Sequence, residues 1–231
     1  MASRQRKRPS LRTGDEFVTA VAVSPSGNEI ATAGGDGGKS MVRIWNTATG
    51  KLQRQWRDDH PQSVRELVFS PGGQWLASAD HHGPDDSSIR LWDVRTGRQL
   101  AFSQSANPTG TLAFSPDGHR LSFPSFSKIV MLEVPSLRKL DETIAGDAVE
   151  DVSGVAFTRD GRTLVGSGHT YGTFFLWDAA TLDVIDWPAR VPGRTFASRS
   201  GAFHPLTPPT ISGDGRKLAA AGTYVWSLPV R

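Results

Sequence analysis

Three stretches of this 231-residue chain hold residue types able to do chemistry. Ala33-Gly34-Gly35-Asp36-Gly37-Gly38-Lys39-Ser40 nearly spells a phosphate-cradling loop, in which backbone N–H groups and a lysine hold an anion. Ala33 stands where that motif needs glycine, and the motif also needs a helix whose N-terminus faces the phosphate. The next residues, Met41-Val42-Arg43-Ile44-Trp45-Asn46, read as a strand, so the expectation is a loop between two strands. His81 and His82, beside Asp80, Asp85 and Asp86, supply imidazole and carboxylate donors suited to zinc or manganese. Adjacent histidines on one loop rarely converge on one ion, so a solvated polar loop is expected. Gly166-Ser167-Gly168-His169 has the spacing of neither a dinucleotide fingerprint nor a nucleophile elbow. No His-Glu-x-x-His occurs. The expectation is a protein that is not an enzyme, with no catalytic residue, cofactor or bound metal.

Composition narrows the classes further. The absence of cysteine excludes a disulfide scaffold, a thiol nucleophile, a thiolate zinc site and an iron–sulfur site. No apolar run reaches eighteen residues, so no membrane span is read. The opening MASRQRKRPS is basic and has no apolar stretch, so no secretory signal is read and a cytoplasmic location is expected. Arg4, Arg6, Lys7, Arg8 and Arg12 place five positive charges in the first twelve residues. Removing them from the net charge of +3 leaves −2, so the pI near 9.5 describes a tail. A basic tail is poor support for a nucleic-acid-binding domain.

The elements that would position these groups repeat along the chain. Ser-Pro-x-Gly turns occur at 24–27, 70–73 and 115–118, followed by Thr158-Arg159-Asp160-Gly161 and Ser212-Gly213-Asp214-Gly215. The closing glycines lie 46, 45, 43 and 54 residues apart. Each turn precedes a short apolar stretch (EIATAG, WLASAD, RLSFPS, TLVGSG, KLAAAG) and then a second (VRIWN, IRLWD, IVMLE, FFLWD, TYVWS). Runs such as VTAVAVS and VRELVFS precede the first four turns, and segments such as 51–56 and 98–103 close several units. Segments of this length, rich in Val, Ile, Leu, Phe and Trp and bounded by turn residues, read as strands. Four short strands per unit make a meander that cannot bury both faces alone, so neighbouring units must stack. Trp45, Trp92, Trp177, Trp226, Phe69, Phe114 and Phe157 recur at fixed places and are read as core.

These units resemble the Trp-Asp (WD) repeat family of β-propellers over roughly residues 8–231. The resemblance is most specific in unit two, where HPQSVRELVFSPGGQWLASAD leads to DSSIRLWD. The dipeptide stands at Trp92-Asp93 and Trp177-Asp178 and degrades to Trp45-Asn46, Leu132-Glu133 and Trp226-Ser227. The resemblance implies an all-β propeller of about five four-stranded blades, complete or open. It divides the chain into a basic tail (1–12, with a closing outer strand near 9–12) and a propeller (13–231). Its units fall at about 14–56, 57–103, 104–142, 143–187 and 188–231. It also implies a structural tetrad in unit two of His60, Ser78, Asp86 and Trp92, a hydrogen-bond relay distinct from a catalytic triad. Gly14, Ser105 and Ala148 occupy the aligned His position elsewhere, which confines the relay to one blade. Seven blades are usual for such proteins. Three closures stay open: a tight five-bladed ring, a shortened or fragmentary chain, and an open arc that self-associates or pairs with another chain through its edges. The Pro-rich stretch 188–210 interrupts the pattern before unit five.

The function implied is a non-catalytic scaffold binding other proteins through its top-face loops. Those loops carry Asp15, Glu16, Asp36, Asp58, Asp59, Asp80, Asp85, Asp86, Asp141, Glu142, Asp147, Glu150 and Asp151, thirteen of the 23 acids. The bottom turns carry ten bases, including Lys51, Arg95, Arg98, Arg120, Arg138 and Lys139. This acidic top, with Asp15, Glu16, Asp58, Asp59, Asp80, Asp85, Asp147, Glu150 and Asp151 as its principal acids, invites a basic segment of a protein partner. The alternatives are a nucleic-acid-associated protein using the tail and bottom turns, and a regulatory propeller module of an enzyme system. Neither a membrane nor, as principal partner, a nucleic acid is expected.

Overall fold

The computed structural model describes residues 17–36, 39–58, 63–80, 87–104, 108–144, 152–168, 174–185, 209–212, 217–220 and 224–227. Unit one is β1 (Phe17–Val23), β2 (Glu29–Asp36), β3 (Lys39–Asn46) and β4 (Leu52–Asp58). Unit two is β5 (Val64–Phe69), β6 (Trp75–Asp80), β7 (Ser88–Asp93) and β8 (Gln99–Gln104). Unit three is β9 (Ala113–Phe114), β10 (Arg120–Ser125), β11 (Lys128–Glu133) and β12 (Lys139–Ile144). Unit four is β13 (Val152–Phe157), β14 (Thr163–Gly168) and β15 (Phe174–Asp178), and unit five is β16 (Thr210–Ile211), β17 (Lys217–Ala220) and β18 (Tyr224–Ser227). Each unit is its own antiparallel meander, with strands in sequence order. Among the described residues there is no helix, and so none long and apolar enough to cross a membrane. The outer strands β4, β8 and β12 run to Asp58, Gln104 and Ile144, one or two residues past the unit ends expected from sequence.

The repeated turn has one chemical explanation in all five units. The hydroxyl of its first residue accepts the backbone N–H five residues on: Glu29 to Ser24, Trp75 to Ser70, Arg120 to Ser115, Thr163 to Thr158 and Lys217 to Ser212, at 2.8–3.1 Å. Gly27, Gly73, Gly118 and Gly161 close the turn at φ of 70–75°, a region that side chains disfavour. The turn after each third strand is organised by the last position of the Trp-Asp pair. Asp93 accepts the Thr96 N–H and hydroxyl at 2.7 Å, and Asn46 does the same for Thr49 at 2.9 Å. Gly50 and Gly97 then take positive φ. In units three and four Leu137 and Leu182 adopt that conformation at φ of 55° and 56°. Both leucine side chains are buried, which offsets the steric cost of about 1 kcal/mol.

Three clusters bury the core, and each lies between or across neighbouring units. Ala31, Ala33, Val42 and Ile44 of unit one meet Val64, Leu67, Phe69 and Leu76 of unit two. Ala77, Ala79, Ile89 and Leu91 then meet Leu112, Phe114, Leu121 and Phe123 of unit three. Ile129 and Met131 meet Val152, Val155, Leu164 and Trp177 of unit four. The inner strands β1, β5, β9, β13 and β16 are successive neighbours. The five sheets remain separate, and no strand pairing joins the first to the last, so the described strands form an unclosed arc; the closing outer strand expected near 9–12 lies outside the described residues. Pro124 lies within β10, paired with Ile129 but with no N–H to donate, and β9 on the other side is two residues long.

Candidate functional site

The residue types able to do chemistry are largely engaged in holding strands together. In unit two the Trp92 indole N–H donates to the Ser78 hydroxyl at 2.8 Å, both groups buried. This pair forms because Leu76 lies opposite Trp92, placing Ser78 two residues further along the middle strand. His60 and Asp86, the other two members of the expected tetrad, lie outside the described residues. Unit one repeats the pair, with Trp45 donating to Thr32 Oγ1 at 2.9 Å. The indole–hydroxyl half of the relay is therefore not confined to one blade, contrary to the expectation from the missing histidines. In unit three Leu132 replaces the indole and Phe123 stands where Ser78 and Thr32 stand, while Ser122, at the register position of Ala77, donates to the Val130 carbonyl at 3.2 Å. In unit four Gly166 stands where Ser78 and Thr32 stand, and Trp177 Nε1 is buried with no acceptor.

The expected acidic face is changed by burial. Of its nine principal acids, Asp15, Glu16, Asp59, Asp85, Asp147, Glu150 and Asp151 lie outside the described residues. The other two are turned inward: Asp58 is 2% exposed and Asp80 0%. Asp80 accepts the Ser88 N–H at 2.5 Å and its hydroxyl at 3.2 Å, fastening the end of β6 to the start of β7. Asp80 fastens two strands, and neither of these buried residues is exposed to a partner, unlike the surface acids expected from sequence. Asp141 and Glu142 belong to the outer strand β12, where Lys128 and Lys139 flank Glu142 at 3.0 and 3.2 Å. These two ammonium groups hydrogen-bond the Glu142 carboxyl and hold it below its usual range.

The bottom turns are less basic than their lysines and arginines imply. Arg120 crosses to unit four, donating to the Ala179 carbonyl and lying 5.7 Å from the centre of the Phe157 ring. Arg138 pairs with Glu133 at 3.3 Å. Acids on the same turns stay ionised. Asp93, Asp117 and Asp160 are each held below the usual carboxylate range, chiefly by the hydroxyls of Thr96, Ser115 and Thr158. Lys51, Arg95, Arg98 and Arg162 remain exposed.

The lysine of the phosphate-loop lookalike sits on a strand. Asp36 pairs with Lys39 at the end of the β2–β3 ladder, and β3 runs on from it, so no helix N-terminus faces the loop. Among the described residues no group of His and acids is placed to hold a metal; His81, His82, Asp85 and Asp86 lie outside them. Ser167 is on β14, its hydroxyl 3.2 Å from that of Ser153. One exposed residue was not singled out from sequence. Phe126 tips the two-residue β10–β11 hairpin at φ 54° and is 48% exposed. The only signal for it is an aromatic between Ser125 and Ser127, just after Pro124.

Stacked four-stranded meanders with this turn chemistry define a β-propeller architecture, and the repeat-family model described as "WD domain, G-beta repeat" matches residues 8–46 and 50–93. Residues 8–46 and 50–93 thus match WD repeats. It is 26% identical over 171 residues to the small ribosomal subunit protein RACK1 of Neurospora crassa and to MST50-interacting protein 11 of Pyricularia oryzae. Each match covers 70% of this chain and 51% of the relative. RACK1z of Arabidopsis thaliana is 34% identical over 89 residues, covering 38% of this chain and 24% of that protein. The chain thus spans about half the length of the longest-matching curated relatives. The β-propeller domain of Myceliophteria thermophila Cps50 (Swd1) superposes with a TM-score of 0.66 at 20% identity, covering 87% of this chain and 61% of that one. That likeness supports the fold alone.

Proposed function

We propose that this chain is a non-catalytic WD-repeat scaffold that binds other proteins through its top-face loops, and that it acts in the cytoplasm. The observation that carries the reading is where its reactive residue types are used. Ser78, Thr32, Ser122 and Asp80 each make a buried hydrogen bond that holds strands together. The relatives agree in kind: one is named for interacting with another protein, and others as proteins of the small ribosomal subunit. The binding surface of this reading is the remaining top-face acids, Asp15, Glu16, Asp59, Asp85, Asp147, Glu150 and Asp151, together with Phe126, exposed on the β10–β11 hairpin, as an apolar anchor. An aromatic set among charges is a common hot-spot composition. The test uses a fluorescent Lys/Arg-rich peptide and the full chain, read by anisotropy. Asp59→Lys with Asp85→Lys is expected to weaken capture at least tenfold, while Lys51→Glu on the opposite face leaves it unchanged. Equal capture by all three proteins refutes the surface.

A second reading is favoured by the ribosomal relatives and by the exposed Lys51, Arg95, Arg98 and Arg162. In it the bottom turns contact nucleic acid, and retention on heparin falls steeply with salt. Removal of residues 1–12 separates a tail effect from one of the turns.

A further inference from the structure

The arc ends in an uncovered apolar face. Val64, Leu67 and Phe69 of β5 are 0%, 5% and 6% exposed because unit one packs over them. Register puts Val18, Val21 and Val23 at the same places on β1. Val23 pairs with Ile30 as Phe69 does with Leu76, Val21 with Thr32 as Leu67 does with Ser78, and Val18 with Gly34 as Val64 does with Asp80. Yet these three valines are 45%, 59% and 60% exposed, and Phe17 beside them is 66% exposed. Scattered exposed apolar residues are ordinary, but here they coincide with the positions that unit two buries.

The contact that covers these positions elsewhere has two unlike sides. The receiving side is small on its middle strand and branched on the next: Ala31 and Ala33 with Val42 and Ile44, then Ala77 and Ala79 with Ile89 and Leu91. The entering side is bulkier: Leu67 and Phe69, then Leu112 and Phe114. At the far end of the arc, Ala219 pairs with Val225 as Ala77 pairs with Leu91. The fifth sheet therefore carries receiving-type residues at the register positions that accept the next unit in units one and two. Among the described residues the fifth sheet makes no strand pairing with β1, and Ala219 and Val225 match the receiving side in residue type.

We propose that the β1 face of one molecule docks against the fifth sheet of a second copy, head to tail. The contact continues the packing between units, so it is heterologous and leaves each added copy with one free end. It does not depend on the loop-mediated binding proposed above.

Val21→Glu tests it, because the position is exposed and the fold does not need it; circular dichroism checks that the sheets persist. Light scattering of the full chain is expected to show mass rising with concentration, and Val21→Glu alone is expected to stay monomeric. Val21→Glu keeps its fifth sheet, so in excess it should cap wild-type oligomers and co-elute with wild-type chains as a dimer. A wild-type chain that is monomeric at every concentration overturns the proposal. So does association that survives Val21→Glu, or a variant that never co-elutes with wild type, as a face-to-face β1 contact requires.

Discussion

Replacing Ser78 by alanine tests whether the indole–hydroxyl pair is structural and how much it contributes. Trp92 has a single N–H, buried, and its acceptor lies 2.8 Å away. Alanine removes that acceptor and is too small to admit a well-bonded water without local opening. A buried donor left unsatisfied costs about 1–3 kcal/mol, beyond the roughly 1 kcal/mol of an ordinary lost bond. The expected destabilisation is therefore about 2 kcal/mol, read as a lower urea midpoint by tryptophan fluorescence and circular dichroism. Ser122→Ala is the internal comparison. It removes a donor to the Val130 carbonyl but strands no indole, so about 1 kcal/mol is expected. The stronger test is a double-mutant cycle. Trp92→Phe carries no N–H, so Ser78→Ala in that background should cost at least 1 kcal/mol less than alone. If the two substitutions add to within about 0.5 kcal/mol, the hydrogen bond is not what Ser78 contributes, and the reasoning fails.

Two further perturbations probe the same packing. Burial raises the Glu66 carboxyl on β5 from 4.5 to about 7. The folded state thus holds this proton more tightly than the unfolded one, so stability is greatest below 4.5 and falls as pH climbs through 7. The loss is roughly 3 kcal/mol at most, taking about 1.4 kcal/mol for each pH unit between those values. Glu66→Gln should flatten that slope in urea titrations from pH 4.5 to 7.5; an identical slope in both proteins would falsify the assignment. In unit four, a Cβ on Gly166 would sit 2.7 and 2.8 Å from the Trp177 ring and 3.2 Å from Val152 Cγ1. Trp177 is fully buried and its ring has no room to yield, so Gly166→Ala should cost about 1–3 kcal/mol by thermal melting. An unchanged melting temperature would show that the ring is free to move.

The fold was legible because its punctuation is chemical. Each turn needs a hydroxyl at its first position, and the four turns described throughout show a positive-φ glycine at the last, so the spacing of Ser or Thr and Gly located the strands. Aromatic recurrence located the core for the same reason, since one register brings Trp45, Trp92 and Trp177 to the same depth. The site was less legible. An aspartate at a strand end reads as a surface charge, and nothing local says that Asp80 turns inward to Ser88 or that Asp58 is covered. Those outcomes depend on where the next strand begins, a non-local fact. Arg120 reads as a free bottom cation, yet its partner carbonyl on Ala179 is 59 residues away in sequence. Leu137 and Leu182 sit where the turn prefers glycine, and only tertiary burial makes that tolerable.

The irregular units say what this architecture requires of a blade. Unit three gives up both members of the pair and fills their places with Leu132 and Phe123, each buried. Unit four keeps the indole but gives up the hydroxyl, and the Trp177 ring lies against the missing side chain's place at Gly166. In both, the volume between neighbouring sheets stays filled while the hydrogen bond is lost. A core tolerates substitution when volume and pattern are kept, and each lost bond costs only about 1–3 kcal/mol. The Ser78–Trp92 and Thr32–Trp45 pairs are then increments of stability laid over a packing requirement that every unit meets. Removal of one pair should weaken its own blade and the adjoining interface while the rest of the arc keeps its sheets, because stability in stacked repeats is summed from neighbour to neighbour.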